Sequence, residues 1–156
     1  MSLRRTPLFE AHQRLGGKLI EFGGWEMPVQ YSGIIEEHMA VRKAAGLFDV
    51  SHMGEFLVRG RDALTLVQRV TTNDVTKLSA GKVQYSCMTY ENGGIVDDLI
   101  VYRLADGRWL LVVNAGHVAA DIAHLKALKV RGAAIADRTD ATAMIALQGP
   151  VAFDLL

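Results

Sequence analysis

The sequence predicts an α+β protein in which an antiparallel sheet is flanked by helices. Three observations lead to this class. The stretch from Tyr85 to Asn114 has the pattern of three consecutive antiparallel strands joined by two short turns. Several other segments repeat apolar residues at the spacing of an α-helix. At 156 residues, 50% of them hydrophobic, the chain is also long enough to bury a core of its own.

The first part of the chain predicts a helix followed by an extended segment. Thr6 suits the N-cap of a helix and Pro7 its first position, and the pair Gly16-Gly17 ends it. Residues 18–31 contain a second Gly-Gly pair and a proline, so we expect them to be extended or irregular.

The next segments predict two helices with a strand between them. Ser32 suits the N-cap of a helix that ends at Gly46. Apolar and polar residues alternate over residues 47–60, as they do in a half-buried strand. Asp62 then suits the N-cap of a third helix, and a loop is expected at residues 71–74.

The segments after the central stretch predict a fourth helix, two strands and a final helix. Apolar residues recur at helical spacing from Val118 to Leu128. Residues 133–137 and 143–147 are short apolar runs that we expect to be strands, and Gly149-Pro150 opens a further helix.

The two turns of the central stretch decide which residues face each other. Asn92-Gly93 predicts a two-residue turn, which places Cys87 opposite Asp98. The loop at residues 105–107 ends in glycine and predicts a three-residue turn, which places Asp98 opposite Asn114. A two-residue turn at the second position would send Asn114 to the other face, and we favour three.

These registers predict a polar site on one face of the sheet. Because side chains alternate between the faces of a strand, Tyr85, Asp98, Tyr102 and Asn114 share a face. Asp98 and Tyr102 would be about 13 Å apart, which suits a flat heterocycle with polar edges. Asp97 faces the other way and is expected to be solvated. Because aspartate is rare in strands, the pair indicates either a site or the charged protection of an edge strand.

Composition argues against several classes of function. Seventeen basic and seventeen acidic residues cancel, which argues against a binder of nucleic acid. The single Cys87 excludes an intrachain disulfide and indicates the reducing cytoplasm. Glu36-Glu37-His38 is not the zinc motif HExxH, so no metal is expected. The sequence also has no apolar run of the length needed to span a membrane.

Six motifs give the chain a resemblance to a known family. In order they are TPLFEAH, FGGWEMPVQY, EEHMAVRKAAGLFDVSHMGEF, NGGIVDDLIVYR, VVNA and ALQGP. With these motifs the chain closely resembles the amino-terminal part of the aminomethyltransferase family, the T-protein of the glycine cleavage system. Members of that family are considerably longer, and the sequence stops at Leu155-Leu156 without a cap or polar tail. We therefore expect the chain to be a fragment.

The resemblance implies a reaction and a fold. The reaction transfers an aminomethyl group from the lipoyl arm of the H-protein to tetrahydrofolate, which forms methylene-tetrahydrofolate and releases ammonia in glycine catabolism. Tetrahydrofolate would be the co-substrate, and no metal would be needed. The fold would be of the folate-binding aminomethyltransferase type, incomplete at its carboxyl-terminal end. The fragment alone would be inactive.

The resemblance also assigns site residues. Asp98 corresponds to the family's aspartate that meets the folate amines, and it would be the catalytic carboxylate. The remaining positions that correspond to folate contacts are Tyr85, Ile100, Tyr102, Val112, Asn114, Met53 and Leu57. The polar members of this set are those that register counting places on one face, so two independent arguments agree.

The family resemblance predicts two lobes and leaves alternatives open. Residues 1–52 and 139–156 would form parts of one lobe, and residues 53–138 most of a second lobe that carries the central strands. The same fold could serve as the folate-using domain of a demethylating dehydrogenase, or in a protein that supports iron-sulfur assembly. A folate-binding module without turnover is a third reading, in which Asp98→Asn would leave function intact.

Overall fold

The computed structural model describes residues 2–128 and 130–156, which form two compact units. The first unit combines the chain up to His52 with Ala143–Leu156, and the second is Met53–Thr142. The lobes expected from the sequence stay a prediction. Residues 139–142 lie in the second unit, where the Thr139 hydroxyl accepts a hydrogen bond from the amide of Glu55 at 3.2 Å.

The helices and strands are numbered in chain order. The helices are α1 (Phe9–Arg14), α2 (Ile34–Lys43), α3 (Ala63–Val70) and α4 (Val118–Ala127). The strands are β1 (Lys18–Phe22), β2 (Trp25–Gln30), β3 (Gly46–Asp49), β4 (Gly54–Arg59), β5 (Val83–Thr89), β6 (Ile95–Arg103), β7 (Trp109–Val113), β8 (Ala134–Asp137) and β9 (Ile145–Gln148). Short 3-10 helices occupy Val75–Lys77, Thr139–Ala141 and Ala152–Leu155.

A buried histidine ties the elements of the first unit together. Strands β1 and β2 form a hairpin, and β3 pairs with β9. His12 Nε2 lies 2.8 Å from Asp49 Oδ2, and its Nδ1 lies 2.7 Å from Tyr31 Oη. Because both ring nitrogens have partners, His12 links α1, the end of β2 and the end of β3 without an unpaired buried polar atom.

The start of α2 differs from the expected N-cap at Ser32. The helix begins at Ile34, with Gly33 at the N-cap. The amides of Tyr31 and Gly33 both donate to Glu37 Oε1, at 2.6 and 3.0 Å. The Glu37 carboxylate thus binds the backbone just before the helix and at its N-cap, and Gly33 takes the N-cap position that we expected for Ser32.

The prediction of a single strand over residues 47–60 is wrong. The segment forms β3 and β4, separated by a turn over residues 50–53. The Asp49 carboxylate accepts the amide of Ser51 at 2.9 Å, which is the hydrogen bond of an Asx turn. Alternation of apolar residues alone did not reveal this break, because the pattern continues across the turn.

The second unit is built on a five-stranded antiparallel sheet of order β5-β6-β7-β4-β8, with α3 and α4 contributing to its hydrophobic core. One face of the sheet, here called the core face, joins this core through Phe56, Leu99 and Leu111. Leu66 of α3 and Leu125 of α4 are each 1% exposed and complete it. Burying side chains of this size contributes about 1.5–3 kcal/mol each. The predicted class, an antiparallel sheet with flanking helices, is confirmed.

The first turn of the central strands has a different form from the one predicted, although the register is as counted. The Tyr90 amide donates to Gly94 O at 2.8 Å, so the loop between them has three residues instead of two. A bulge between Met88 and Thr89 takes up the extra residue. Beyond the bulge, Cys87 pairs with Asp98 as predicted.

Candidate functional site

The register of β5, β6 and β7 brings the predicted polar residues onto one face of the sheet. Tyr85 pairs with Ile100, and Ile100 with Val112. The second loop has the three residues predicted, because the Leu104 amide donates to Arg108 O at 2.8 Å. The face opposite the core face is here called the site face.

Asp98 is held on the site face by a phenol from β5. Tyr85 Oη donates to Asp98 Oδ2 at 2.8 Å. The hydrogen bond to Asp98, with some burial, raises the pKa of Tyr85, so the phenol keeps its proton and remains a donor. Tyr85 is 61% exposed, which leaves its ring available for contact with a ligand.

Asn114 holds Asp98 from the other side. It follows β7, one step beyond the pair of Leu99 and Val113. Its Nδ2 donates to Asp98 Oδ1 at 3.0 Å and lies 3.2 Å from Asp98 O. A carboxylate that receives donors from both neighbouring strands is fixed in orientation while retaining lone pairs for a further donor.

Three of the four apolar residues predicted for the site lie on the same face. Ile100 is half-buried and Val112 is buried. Leu57 on β4 pairs with Leu110 of β7, so it also faces this side, and Met53 directly precedes β4. These residues supply an apolar surface beside the polar cluster.

Tyr102 shares the face without joining the cluster. It pairs with Leu110 and is half-buried. Four residues of strand separate it from Asp98, a distance of about 13 Å, which is too long for a hydrogen bond. Tyr102 is therefore separate from the hydrogen-bonded group of Tyr85, Asp98 and Asn114.

Asp97 is buried, so the expectation that it is solvated is wrong. It is 4% exposed and alternates with Leu99 and Val101 on the core face. Its carboxylate accepts Asn114 Nδ2 at 2.9 Å, the Asn114 amide at 3.2 Å and His117 Nδ1 at 2.9 Å. The sequence holds no clear signal of this, because Leu99, Ile100 and Val101 are apolar at consecutive positions and do not distinguish the two faces.

Glu55 is a second buried carboxyl that the sequence did not single out. It pairs with Val112 and therefore lies on the site face, fully buried. Burial first, and then the charge of Asp137, raise the pKa of Glu55 to about 7. A carboxyl with this pKa is half-protonated near neutral pH.

The described residues contain no arrangement suited to a metal ion or to a membrane span. No group of three or more His, Cys, Asp and Glu side chains in the described part of the chain could hold a metal. None of its helices is both long enough and apolar enough to cross a membrane.

Comparison with known proteins gives one consistent match. Residues 8–156 match the family model described as GCVT N-terminal domain. The chain is 55% identical to an aminomethyltransferase of Symbiobacterium thermophilum, over 99% of this chain and 42% of that protein. It is 52% identical to an aminomethyltransferase of Thermus thermophilus, over 99% of this chain and 44% of that protein.

A solved structure agrees with these matches. The crystal structure of the glycine cleavage system aminomethyltransferase T from Bartonella henselae superposes with a TM-score of 0.88, at 38% identity, over 99% of this chain and 43% of that one. The chain thus spans less than half the length of the curated relatives and of the structure that it matches.

Proposed function

This chain belongs to the GCVT N-terminal domain family, and on that premise we propose that it serves a tetrahydrofolate-dependent aminomethyl transfer in glycine cleavage. The donor would be the lipoylated H-protein. Two amines of tetrahydrofolate form bonds to the carried methylene, while its bonds to the amino nitrogen and to the lipoyl sulfur break. The two amine protons end on the departing ammonia and on the lipoyl thiol. The dihydrolipoyl carrier and methylene-tetrahydrofolate are the other products. We place this reaction in the cytoplasm.

The observation that supports the proposal most is the hydrogen-bonded group of Tyr85, Asp98 and Asn114 on the site face. The amines of a reduced pterin are hydrogen-bond donors, and a fixed carboxylate is the acceptor that such donors require. Ile100 and Val112 lie between the polar residues and suit the apolar ring face. The residues present therefore fit a folate.

Each of these residues would have its own task in the transfer. Asp98 would accept a hydrogen bond from an amine of the bound co-substrate and stabilise the positive charge that develops there. Tyr85 and Asn114 would keep the carboxylate in that orientation. Tyr102 would line the same site, and Leu57 and Met53 would contact the pterin. Tetrahydrofolate supplies the nucleophilic amines, while the chain supplies orientation and charge.

Replacement of Asp98 by asparagine tests the catalytic role. In the complete protein supplied with loaded H-protein, we expect Asp98→Asn to slow ammonia release by about 10²–10⁴-fold, which is the usual contribution of a positioned acid or base. Folate binding should change much less, because asparagine keeps an acceptor oxygen.

The matched control is Asp106→Asn, in the loop between β6 and β7, where the side chain is exposed. It should release ammonia at the wild-type rate. Retention of wild-type transfer by Asp98→Asn would refute the catalytic role of Asp98. Folate binding without ammonia release by the wild-type protein would instead support the folate-binding module without turnover.

We further propose that residues 1–156 alone bind folate weakly. The chain covers only 42–44% of its first curated relatives, and Tyr85 is 61% exposed. A ligand that is contacted from one side keeps most of its surface exposed to water, and this lowers its affinity. Isothermal titration that gave tight, stoichiometric binding to this chain would overturn the proposal.

A further inference from the structure

The carboxylate of Asp97 is connected to the site through the side-chain amide of Asn114. Asn114 Nδ2 lies 2.9 Å from Asp97 Oδ1 and 3.0 Å from Asp98 Oδ1, so the two hydrogens of one amide face two carboxylates. The backbone amide of Asn114 also donates to Asp97, at 3.2 Å. Asp97 thereby fixes both the position and the orientation of Asn114.

These hydrogen bonds determine the orientation of the side-chain amide of Asn114. With the nitrogen toward Asp97 and Asp98, the side chain donates to both carboxylates. With the oxygen turned toward them, an acceptor would face two acceptors and both bonds would be lost. If Asp97 could no longer accept, the amide would be free to rotate, and Asp98 would lose its donor from this side.

Behind Asp97 lies Asp121, on the first turn of α4. Asp121 is fully buried, and no N–H or O–H group in residues 2–128 and 130–156 donates to its carboxyl oxygens. The side chain that acts on it most strongly is the neighbouring carboxyl of Asp97. Two ionised carboxylates in contact away from water repel strongly, so one of them holds a proton.

The surroundings decide which carboxyl holds it. Asp97 receives three hydrogen bonds from Asn114 and His117. Although burial alone would raise the pKa of Asp97, these bonds hold it below the usual range. Burial, followed by the hydrogen bond and the charge of Asp97, raises the pKa of Asp121 to about 7. Asp121 is therefore the neutral member, and among the described residues its own O–H is the group left to donate between the two carboxyls.

We propose, resting on the function proposed above, that Asp97 and Asp121 are positioning residues: the Asp121 carboxyl donates its proton to Asp97, and Asp97 holds the Asn114 amide against Asp98. The chain of contacts runs from α4 through the core face of β6 to the site face. Neither residue touches the co-substrate.

Ionisation of Asp121 would break this chain of contacts. The charged groups that act on Asp121 are Asp97 and Asp98 of β6 and His117 at the start of α4. The hydrogen bond and the charge of Asp97 raise the pKa of His117, so the imidazolium partly balances the pair below neutral pH. When Asp121 loses its proton at higher pH, two adjacent carboxylates are charged and Asp97 loses a donor. Transfer should then decline on the alkaline side.

Carbon-13 NMR of the aspartate carboxyls tests the proton assignment without any assay of transfer. The carboxyl resonance that disappears in Asp121→Asn should titrate near pH 7 in the wild-type protein, and the resonance lost in Asp97→Asn should titrate below the usual range of aspartate. Titration of Asp121 in the ordinary range of aspartate, below about pH 5, would overturn the proposal.

Kinetics of the complete protein test the positioning role. Asp121→Asn keeps a neutral donor to Asp97, so it should retain kcat within about twofold and should lose the alkaline decline. Asp121→Ala removes the donor and should lower kcat by about 10- to 100-fold, with KM little changed, as displaced catalytic groups do.

The possible outcomes separate this inference from the function that it rests on. If wild-type protein shows no transfer, the proposed function fails, while the carboxyl titration still decides whether Asp121 holds the proton. If transfer is normal in the wild type and Asp121→Ala matches it, or if Asp121→Asn keeps the alkaline decline, the positioning role is refuted.

Discussion

Replacing Glu55 by glutamine is expected to stabilise the protein at neutral and alkaline pH. The side chain is fully buried on β4, and among the described residues no N–H or O–H group donates to either carboxyl oxygen. Burial first, and then the charge of Asp137, raise the pKa of Glu55 from 4.5 to about 7. The folded protein therefore keeps this proton at pH values at which the unfolded chain has lost it.

The sign and size of the effect follow from linkage. Between pH 4.5 and 7 the unfolded chain binds fewer protons at Glu55 than the folded protein, so the free energy of unfolding falls as pH rises through this window. A pKa raised from 4.5 to about 7 corresponds to a loss of about 3 kcal/mol at most. We expect about 1–3 kcal/mol, because any water that reaches the carboxyl reduces the shift. Glutamine is neutral throughout and escapes this loss.

Urea unfolding at pH 5 and at pH 8 measures the effect. The free energies of unfolding of wild type and Glu55→Gln should lie close together at pH 5, and the variant should be the more stable at pH 8 by about 1–3 kcal/mol. Glu91→Gln, in the exposed loop between β5 and β6, is the matched control and should show no such gain. Equal stability differences at both pH values would refute the argument that Glu55 is buried with a raised pKa.

Two further substitutions test the site and the backbone. Tyr85→Phe removes the donor to Asp98 and should lower the rate of ammonia release by about tenfold, while the midpoint of urea unfolding stays unchanged. A wild-type rate of ammonia release would mean that the phenol does not orient the carboxylate. Gly60→Ala should destabilise the second unit by about 3 kcal/mol or more, because φ is +116° and the new Cβ would lie 2.2 Å from Gly132 O. Gly81→Ala, with positive φ but open space around it, is the control and should cost clearly less in the same unfolding measurement.

The central strands were the most predictable part of the chain. Side chains alternate between the two faces of a strand, and two turns contain glycine. These two features were enough to predict that Cys87 pairs with Asp98 and Tyr102 with Leu110. The first loop is one residue longer than predicted, but the predicted pairing of Asp98 is still correct because the bulge beside Met88 restores the register. Local rules work here because the partners are neighbours in sequence.

The predictions from local sequence rules were wrong where the structure of a segment depends on contacts with other elements. The Asx turn at Asp49 interrupts a run that alternates like one strand, and its place between β3 and β4 becomes visible only once β3 pairs with β9. The start of α2 is similar, since Ser32 and Gly33 are adjacent residues that both suit an N-cap, and the helix uses Gly33. Periodicity does not distinguish between such equivalents.

By itself, the sequence determined that Tyr85, Asp98 and Asn114 share a face, because that follows from alternation and two turn lengths. Its motifs also carried the family resemblance. Only the tertiary structure decided that Asp97 is buried and that Glu55 and Asp121 are carboxyls with raised pKa. Burial and proton affinity depend on which groups of other elements surround a side chain, and α4, which supplies Asp121, joins the central strands only in the folded chain.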